Sequence, residues 1–133
     1  MQIPYSVLDR RFEPFLEGFG QADITTVARS AFLKGVLATN PGELPAELSP
    51  LREPIDRLTA HATSLGLEPS ELALLYARSH PDIASTIIGV LDEQMLRANH
   101  ACLARATTEL RSLLEDLALD DPLLVDPRNW PLS

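Results

Sequence analysis

The order of strand-like and helix-like segments most constrains how this 133-residue chain folds. Three short runs have β-strand composition, and the run over residues 86–90 is almost entirely apolar, which is typical of a strand covered on both faces. Apolar residues recur at helical spacing in the segments between and after these runs. This alternation predicts an α/β fold with a parallel sheet. The strands are expected over residues 2–6, 24–28 and 86–90, and the helices over residues 12–20, 55–65, 69–79, 92–99 and 110–117.

Glycine, proline and capping residues mark several boundaries. Gly66 should end one helix, Pro69 suits the first turn of the next, and Asp92 is placed to cap a third. The stretch over residues 35–50 is rich in proline and long for a loop in a compact domain, which indicates a binding loop or disorder. We expect residues 1–133 to form a single domain. Its last part, residues 120–133, is expected to be an irregular tail packed over the body.

Composition excludes several classes of function. The net charge of −8 opposes binding to the phosphate backbone of nucleic acids. No run approaches the ~20 apolar residues that span a bilayer, and residues 1–11 lack the apolar core of a signal peptide, so a cytoplasmic protein with no membrane partner is expected. The single cysteine, Cys102, excludes an internal disulfide and a multi-cysteine metal cage. His61, His80 and His100 lack metal-ligand spacing and are interpreted as surface or capping residues, so no metal site is predicted.

Three segments together carry a family resemblance. They are residues 2–11 (QIPYSVLDRR), residues 27–37 (VARSAFLKGVL), and residues 87–89 (IIG) followed ten residues later by Asn99. In this order and spacing they resemble the last three strands of the aldo-keto reductase barrel, and residues 126–130 (DPRNW) are similar to its tail. The resemblance implies a partial (β/α)8 TIM barrel with about three parallel strands and flanking helices. It also implies an oxidoreductase fragment or subunit.

A site for a nicotinamide dinucleotide, NADP(H) or NAD(H), follows from the same resemblance. Gln2 matches a glutamine that contacts the nicotinamide carboxamide, and Arg29 lies where many members place an aromatic ring against the nicotinamide. Asn99 matches the residue whose amide meets the adenine. The cofactor-binding residues that the resemblance implies are Gln2, Arg29, Ser30, Phe32, Leu33, Lys34, Gly35, Gly89 and Asn99.

The loop that leaves the second predicted strand has an independent physical interpretation. In a (β/α)8 barrel, ligands bind at the loops that follow the carboxyl ends of the strands. Residues 30–35 offer a hydroxyl, backbone amides and a glycine, which can hydrogen-bond phosphate oxygens with help from the charge of Lys34. The alternative is that Gly35 only turns the chain and Ser30 satisfies its own backbone.

Two positions depart from the family pattern. Leu91 and Met95 stand where basic, hydroxyl or polar side chains usually meet the 2′-phosphate of NADP(H), and neither can bind a phosphate. Arg97 is nearby but lies at a different position of the expected helix. Cofactor binding is therefore expected to be weak or vestigial.

The catalytic residues implied by the family have no counterpart in this chain. They are an aspartate, a tyrosine, a lysine and a histidine from the first half of the barrel, and the proton donor among them needs a pKa shifted towards neutrality. The only lysine here, Lys34, lies in the phosphate loop. Tyr5 lies within a strand and Tyr76 on an apolar helix face. We therefore predict no catalytic residue, and a fragment that is inactive alone.

Part of a barrel leaves apolar surface without a partner. Both sheet edges and the inner face, with Val27, Ile87 and Val90, would be exposed as a layer of aliphatic side chains. We therefore expect a homo-oligomer, with a dimer favoured, or a complex with a partner that holds the N-terminal barrel half. Two functional hypotheses remain open: the dinucleotide-binding part of an oxidoreductase, or a non-redox homo-oligomeric scaffold or small-molecule-binding module that reuses the half-barrel.

Overall fold

A three-stranded parallel sheet lies at the centre of the computed structural model, which describes residues 1–106 and 109–131. The strands follow one another in sequence order across the sheet, and both neighbouring pairs are parallel. This arrangement confirms the α/β class and the three parallel strands that the sequence predicts. The strands are β1 (Gln2–Pro4), β2 (Val27–Arg29) and β3 (Ser85–Thr86).

Helices follow each strand. The α-helices are α1 (Leu16–Gln21), α2 (Arg52–Ser64), α3 (Pro69–Arg78), α4 (Glu93–Cys102), α5 (Glu109–Leu113) and α6 (Pro122–Val125). Short 310 helices cover Glu13–Phe15, Val36–Ala38, Pro41–Glu43, Ala46–Leu51, Leu103–Arg105, Glu115–Leu117 and Pro127–Asn129. Over the described ranges, none of these helices is both long enough and apolar enough to cross a membrane.

The helices pack against one face of the sheet. Ile3 and Ala28 are partners in register, and their side chains are only 1% and 0% exposed. They belong to an aliphatic core that includes Leu58 of α2 and Leu75 of α3, both fully enclosed. Because side chains alternate along a strand, the neighbours of Ile3 and Ala28 lie on the other face of the sheet.

Local capping sets the helix boundaries where the sequence predicts them. Gly66, after the end of α2, has a φ of 67°, which glycine adopts without strain. Helix α3 starts with Pro69 in its first turn, and the side chains of Glu68 and Glu71 form a reciprocal capping box. The Asp92 side chain accepts a hydrogen bond from a backbone N–H in the first turn of α4. All three predicted boundaries are confirmed.

The strand boundaries differ from the sequence prediction. The second strand is Val27–Arg29 instead of residues 24–28, and the first ends at Pro4 instead of residue 6. The third is Ser85–Thr86 instead of residues 86–90, although the Ile87 N–H still donates to the Ala28 carbonyl at 2.8 Å. A strand extends only as far as its partner's backbone does, and composition does not contain that information.

Four other predicted segments also need correction. The stretch over residues 35–50 is neither a long irregular loop nor disordered, because it forms 310 turns that bury Leu44 and Leu48. The tail over residues 120–131 contains α6 and a 310 turn with Val125 and Trp130 buried, while residues 132–133 lie outside the described part. The predicted helices over residues 12–20 and 110–117 each divide into a 310 segment and an α-helical segment. The 310 segments are Glu13–Phe15 and Glu115–Leu117, and the α-helical segments are Leu16–Gln21 and Glu109–Leu113.

A polar cluster is enclosed between β1 and α3. The Tyr5 hydroxyl lies 3.3 Å from Glu13 Oε2 and 3.4 Å from the Tyr76 hydroxyl. His80 is only 6% exposed, and its ring meets the Tyr5 ring edge-on at 5.8 Å. This position corrects the surface interpretation of His80, whereas its Nδ1 accepts from the Asp82 N–H at 3.2 Å, as a capping residue does. Burial lowers the pKa of His80 below 6.5, Arg111 acts in the same direction, and Glu13 and Asp82 oppose the shift.

Replacing His80 should reduce the acid sensitivity of the fold. Since the pKa of His80 is lower in the folded state, the unfolded chain binds more protons below about pH 6.5, and stability falls as the pH decreases. His80→Asn keeps an acceptor for the Asp82 N–H but does not titrate. Denaturant unfolding between about pH 7.5 and about pH 5 should show a smaller loss of stability for this variant. The exposed control His100→Asn should lose as much as the parent; an equal loss in His80→Asn would contradict the assignment.

The C-terminal tail should contribute to global stability. Trp130 is 8% exposed and its Nε1–H donates to the Leu124 carbonyl at 3.0 Å. Trp130→Ala should lower the unfolding free energy by about 3 kcal/mol in urea denaturation, because it removes a large buried side chain. The matched control Leu123→Ala removes a side chain that is 65% exposed and should cost less than about 0.5 kcal/mol. Equal costs for the two variants would mean that the tail is not part of the cooperative unit.

Candidate functional site

The loop after β2 has an unusual backbone. Ser30 has a φ of 63°, and the next turn places Leu33, Lys34 and Gly35 at 47°, 54° and 88°. Glycine tolerates positive φ, but it is rare for leucine and lysine, and for each such residue the strain is of the order of 1–3 kcal/mol. Strained backbone of this kind clusters at ligand-binding sites, which makes the loop a candidate.

Several amide groups of this loop are free to bind a ligand. The N–H groups of Phe32, Lys34 and Gly35 donate to no acceptor within residues 1–106 and 109–131, whereas the Leu33 N–H donates to the Ser30 carbonyl at 2.9 Å. Lys34 and Gly35 are exposed. Successive free amides in a turn of this kind form a concave donor set that fits an anion. The Lys34 ammonium adds a positive charge beside them.

A cleft of about 520 Å³ separates this loop from the segment between β3 and α4, and we call it the loop cleft. The opposite wall is made by residues 87–91 and by Met95 in the first turn of α4. Five of the nine residues expected at the cofactor line it: Ser30, Phe32, Lys34, Gly35 and Gly89.

The α4 side of the loop cleft has no free cation among the described residues. Leu91 is 94% exposed at the mouth, and Met95 presents a thioether. The Asp92 carboxylate accepts from the Met95 N–H at 2.7 Å, so it occupies the end of the helix and adds negative charge. Arg97 is paired with Glu93 one turn away. A 2′-phosphate therefore finds no charged partner on this wall.

Asn99 lies in a neighbouring cleft rather than in the loop cleft. It is 6% exposed, and its Nδ2 has no hydrogen-bond partner in the described part of the chain. The neighbouring cleft lies between β3, α3 and α4, and Ile88 lines both clefts. Thr86 Oγ1, in the same cleft, is also buried without a partner. A buried polar atom without a partner is costly, so these two atoms indicate a site for a polar ligand atom or water.

The remaining three expected residues lie outside both clefts. Gln2 is exposed in β1, where it pairs with Val27. Arg29 is exposed at the end of β2, and its Nη1 donates to the Ser30 hydroxyl at 3.1 Å. The Leu33 side chain is 1% exposed and packs in the core, so only its backbone belongs to the loop's ligand-binding side.

The open face of the sheet is more polar than a barrel interior. Opposite the buried face lie Gln2 and Val27 in one row, and Pro4 with its partner Arg29 in the next. Val27 is partly buried, while Ile87 is 50% exposed. The expected layer of exposed aliphatic side chains is therefore interrupted by an amide and a guanidinium group.

Both tyrosines lie in the buried cluster beside α3, away from any lysine in the described residues. Burial raises the pKa of Tyr5 and of Tyr76 above 10, and the cluster adds further upward contributions for Tyr5 from Tyr76 and Glu13. The Arg10 guanidinium covers the Tyr76 ring at 4.6 Å. Sequence reasoning missed this cluster, because His80 lies beyond the end of α3 and meets the distant Tyr5 ring only in the folded chain.

The fold of the chain has known counterparts. No protein-family model matches the sequence, and no curated protein is similar to it. Among solved structures, an aldo-keto reductase from Bacillus halodurans matches in its apo form with a TM-score of 0.72 and 22% identity, over 96% of this chain and 45% of that one. Its holo form matches with a TM-score of 0.68 and 24% identity, over 96% of this chain and 44% of that one.

This chain spans less than half the length of those solved structures. The match includes 96% of this chain. It confirms the fold that the sequence motifs imply. The chain has the fold of a partial (β/α)8 barrel of the aldo-keto reductase type.

Proposed function

We propose that this chain is the nicotinamide dinucleotide-binding part of an oxidoreductase of the aldo-keto reductase type. The observation that carries the proposal is the loop over residues 30–35. Its backbone is strained at Leu33 and Lys34, and its free amides lie at the loop cleft. The Val36 N–H donates to the Leu33 carbonyl at 3.2 Å, and this turn accounts for the positive φ at Lys34 and Gly35. It does not account for the free amides at the cleft, which an anionic ligand would use.

The chain's own residues fit a dinucleotide in part. The amides of Phe32, Lys34 and Gly35, with the Lys34 ammonium, would hold the pyrophosphate. The unpartnered Asn99 Nδ2 would donate to a ring nitrogen of the adenine beyond Ile88. Gln2 would meet the carboxamide at the nicotinamide end. The cofactor, when bound, supplies or accepts a hydride.

The 2′-phosphate of NADP(H) fits poorly. A phosphate needs cationic or multiple-donor partners, and Leu91 and Met95 offer neither. Discrimination between NADPH and NADH is therefore small, and both bind weakly.

Proton transfer requires residues from outside this chain. Tyr5 and Tyr76 are fully enclosed, and their raised pKa values disfavour the ionised form. Lys34 is exposed on the loop, where we assign its ammonium group to the pyrophosphate of the cofactor. We therefore propose that the chain alone reduces no carbonyl compound, and that the rest of the barrel supplies the acid. The buried free thiol of Cys102 is compatible with a reducing compartment such as the cytoplasm.

We further propose that the chain forms a dimer through its open sheet. The accessible surface is 7536 Å², against about 6,900 Å² for a typical monomer of 14.6 kDa. The surplus is close to the roughly 800 Å² that one partner contributes to a stable interface. Ile87, Val90 and Leu91 are exposed beside the β3 edge, which has no neighbouring strand in the described chain.

The second candidate function is a non-redox scaffold or small-molecule-binding module. Leu91 and Met95 favour it, because they replace the residues that would select NADP(H). It predicts assembly without dinucleotide binding, so a single titration with a dinucleotide distinguishes the two candidates.

Calorimetric titration should show NADPH and NADH binding to the chain with dissociation constants no better than about 0.1 mM, equivalent to roughly 5.5 kcal/mol. Lys34→Ala should weaken both several-fold, since it removes the charge beside the free amides. The matched control Arg52→Ala removes an exposed cation from α2 and should change neither. No detectable binding would favour the scaffold. Micromolar NADPH affinity with strong rejection of NADH would contradict our view of Leu91 and Met95.

Light scattering should give a mass of about twice 14.6 kDa at micromolar concentration. Ile87→Asp should convert the protein to a monomer or unfold it, because it places a charge on the proposed interface. Leu123→Asp alters an exposed apolar residue on α6, 65% exposed against 50% for Ile87, and should remain dimeric. Circular dichroism separates dissociation from unfolding. The interface is refuted if the parent is a stable monomer or if both variants dissociate. If a barrel-sized complex forms only when an N-terminal barrel half is added, the partner is that half and not a second copy.

A further inference from the structure

A second cavity lies on the other side of the loop after β2, and we call it the tail cavity. It occupies about 250 Å³ between that loop and the C-terminal tail. Ser30 and Lys34 line both the tail cavity and the loop cleft, so the loop is the wall between them. This volume holds roughly eight water-sized groups, which is enough for a small anion and too little for a dinucleotide.

The tail cavity is cationic in an acidic protein. Four cations line it, and two carboxylates, Asp9 and Asp126, partly balance them. The surplus of positive charge contrasts with the net charge of −8 for the whole chain. The four cations are Arg11, Arg29, Lys34 and Arg128.

The two carboxylates are already fully engaged. Asp9 is 2% exposed and accepts from Arg11 Nε at 2.8 Å and Nη2 at 2.9 Å. Asp126 is 6% exposed and accepts from Arg128 Nε at 2.9 Å and Nη2 at 2.6 Å, with Arg11 Nη1 at 3.5 Å. These bonds fix the guanidinium groups of Arg11 and Arg128 in position, and they leave no carboxylate for the other two cations.

Arg29 and Lys34 therefore remain available for a ligand. The Arg29 guanidinium donates only to the Ser30 hydroxyl within the described ranges, and neither cation forms an ion pair there. Arg128 donates to Asp126 through its Nε and Nη2, and its side chain is 82% exposed, so its remaining N–H groups have no carboxylate partner in the described chain. Positioned arginines are suited to oxyanions because their N–H groups bind two oxygens at once.

We propose that the tail cavity binds a phosphate group, either free phosphate or the phosphate of a small ester. A phosphate carries about −1.5 to −2 charges at neutral pH, which matches the surplus of two positive charges in the cavity. Arg29 and Arg128 would hold the oxygens, and Lys34 would add charge from the shared wall. The site shares the Lys34 wall with the proposed cofactor cleft, but Arg29 and Arg128 line the tail cavity alone.

The test is calorimetry of the whole chain at low ionic strength, with inorganic phosphate and with glycerol 3-phosphate as probes. The parent should bind at least one probe saturably. Arg128→Gln and Arg29→Gln should each weaken binding about tenfold, as expected for the loss of a charge-assisted hydrogen bond. Arg52→Gln, an exposed arginine on α2, should bind as the parent does. Tighter binding of the ester indicates a substrate subsite, and tighter binding of inorganic phosphate indicates a free phosphate site.

Two further measurements separate this proposal from the cofactor proposal. Asn99→Ala should weaken NADH binding and leave phosphate binding unchanged, whereas Arg128→Gln should do the reverse. Because Arg128 also binds Asp126, thermal unfolding of Arg128→Gln checks that the tail remains folded. Arg29→Gln is the second variant, because Arg29 binds no carboxylate in the described chain. The proposal is overturned if the parent binds neither probe, if both arginine variants bind like the parent, or if Asn99→Ala abolishes phosphate binding.

Discussion

A parallel sheet that is packed on one face only is the constraint on which the rest of this structure depends. Ile3 and Ala28 join the sheet to the aliphatic core under α2 and α3. The loops that leave the carboxyl ends of the strands are therefore held in place by the core. On the other face Pro4 and Arg29 lie near the C-terminal tail, and neither sheet edge has a neighbouring strand in the described residues, which is consistent with an accessible surface larger than that of a typical monomer of this mass.

The loop after β2 joins the packed sheet to the groups that we propose bind ligands. Leu33 turns its side chain into the core, and the strained turn that follows leaves the neighbouring amides without protein partners. Burial of Leu33 offsets part of the cost of the positive φ at this residue and at Lys34. One loop thereby forms a wall of two separate concavities. The loop cleft offers amides and a long apolar wall, and the tail cavity offers fixed guanidinium groups.

The sequence predicted the fold class well because local signals encode it. Gly66, Pro69 and Asp92 mark helix ends by their own backbone preferences, and strand-helix alternation predicts a parallel sheet. The length of β3 was not predictable, because it depends on where the backbone of β2 stops offering partners. The positions of Asn99 and His80 likewise depend on which helix packs over them. Five of the nine residues that the family resemblance implies line one cleft. Leu33 is not among the five, because its side chain is buried in the core.

The central claim is that the free amides of the loop over residues 30–35 bind a dinucleotide. Backbone amide NMR spectra recorded during titration with NADPH test this most directly, because each amide reports its own environment. Saturable shifts are expected for Phe32, Lys34, Gly35 and Gly89, with smaller changes in α2. Shifts confined to other parts of the chain, or unchanged loop amides at millimolar NADPH, would contradict it.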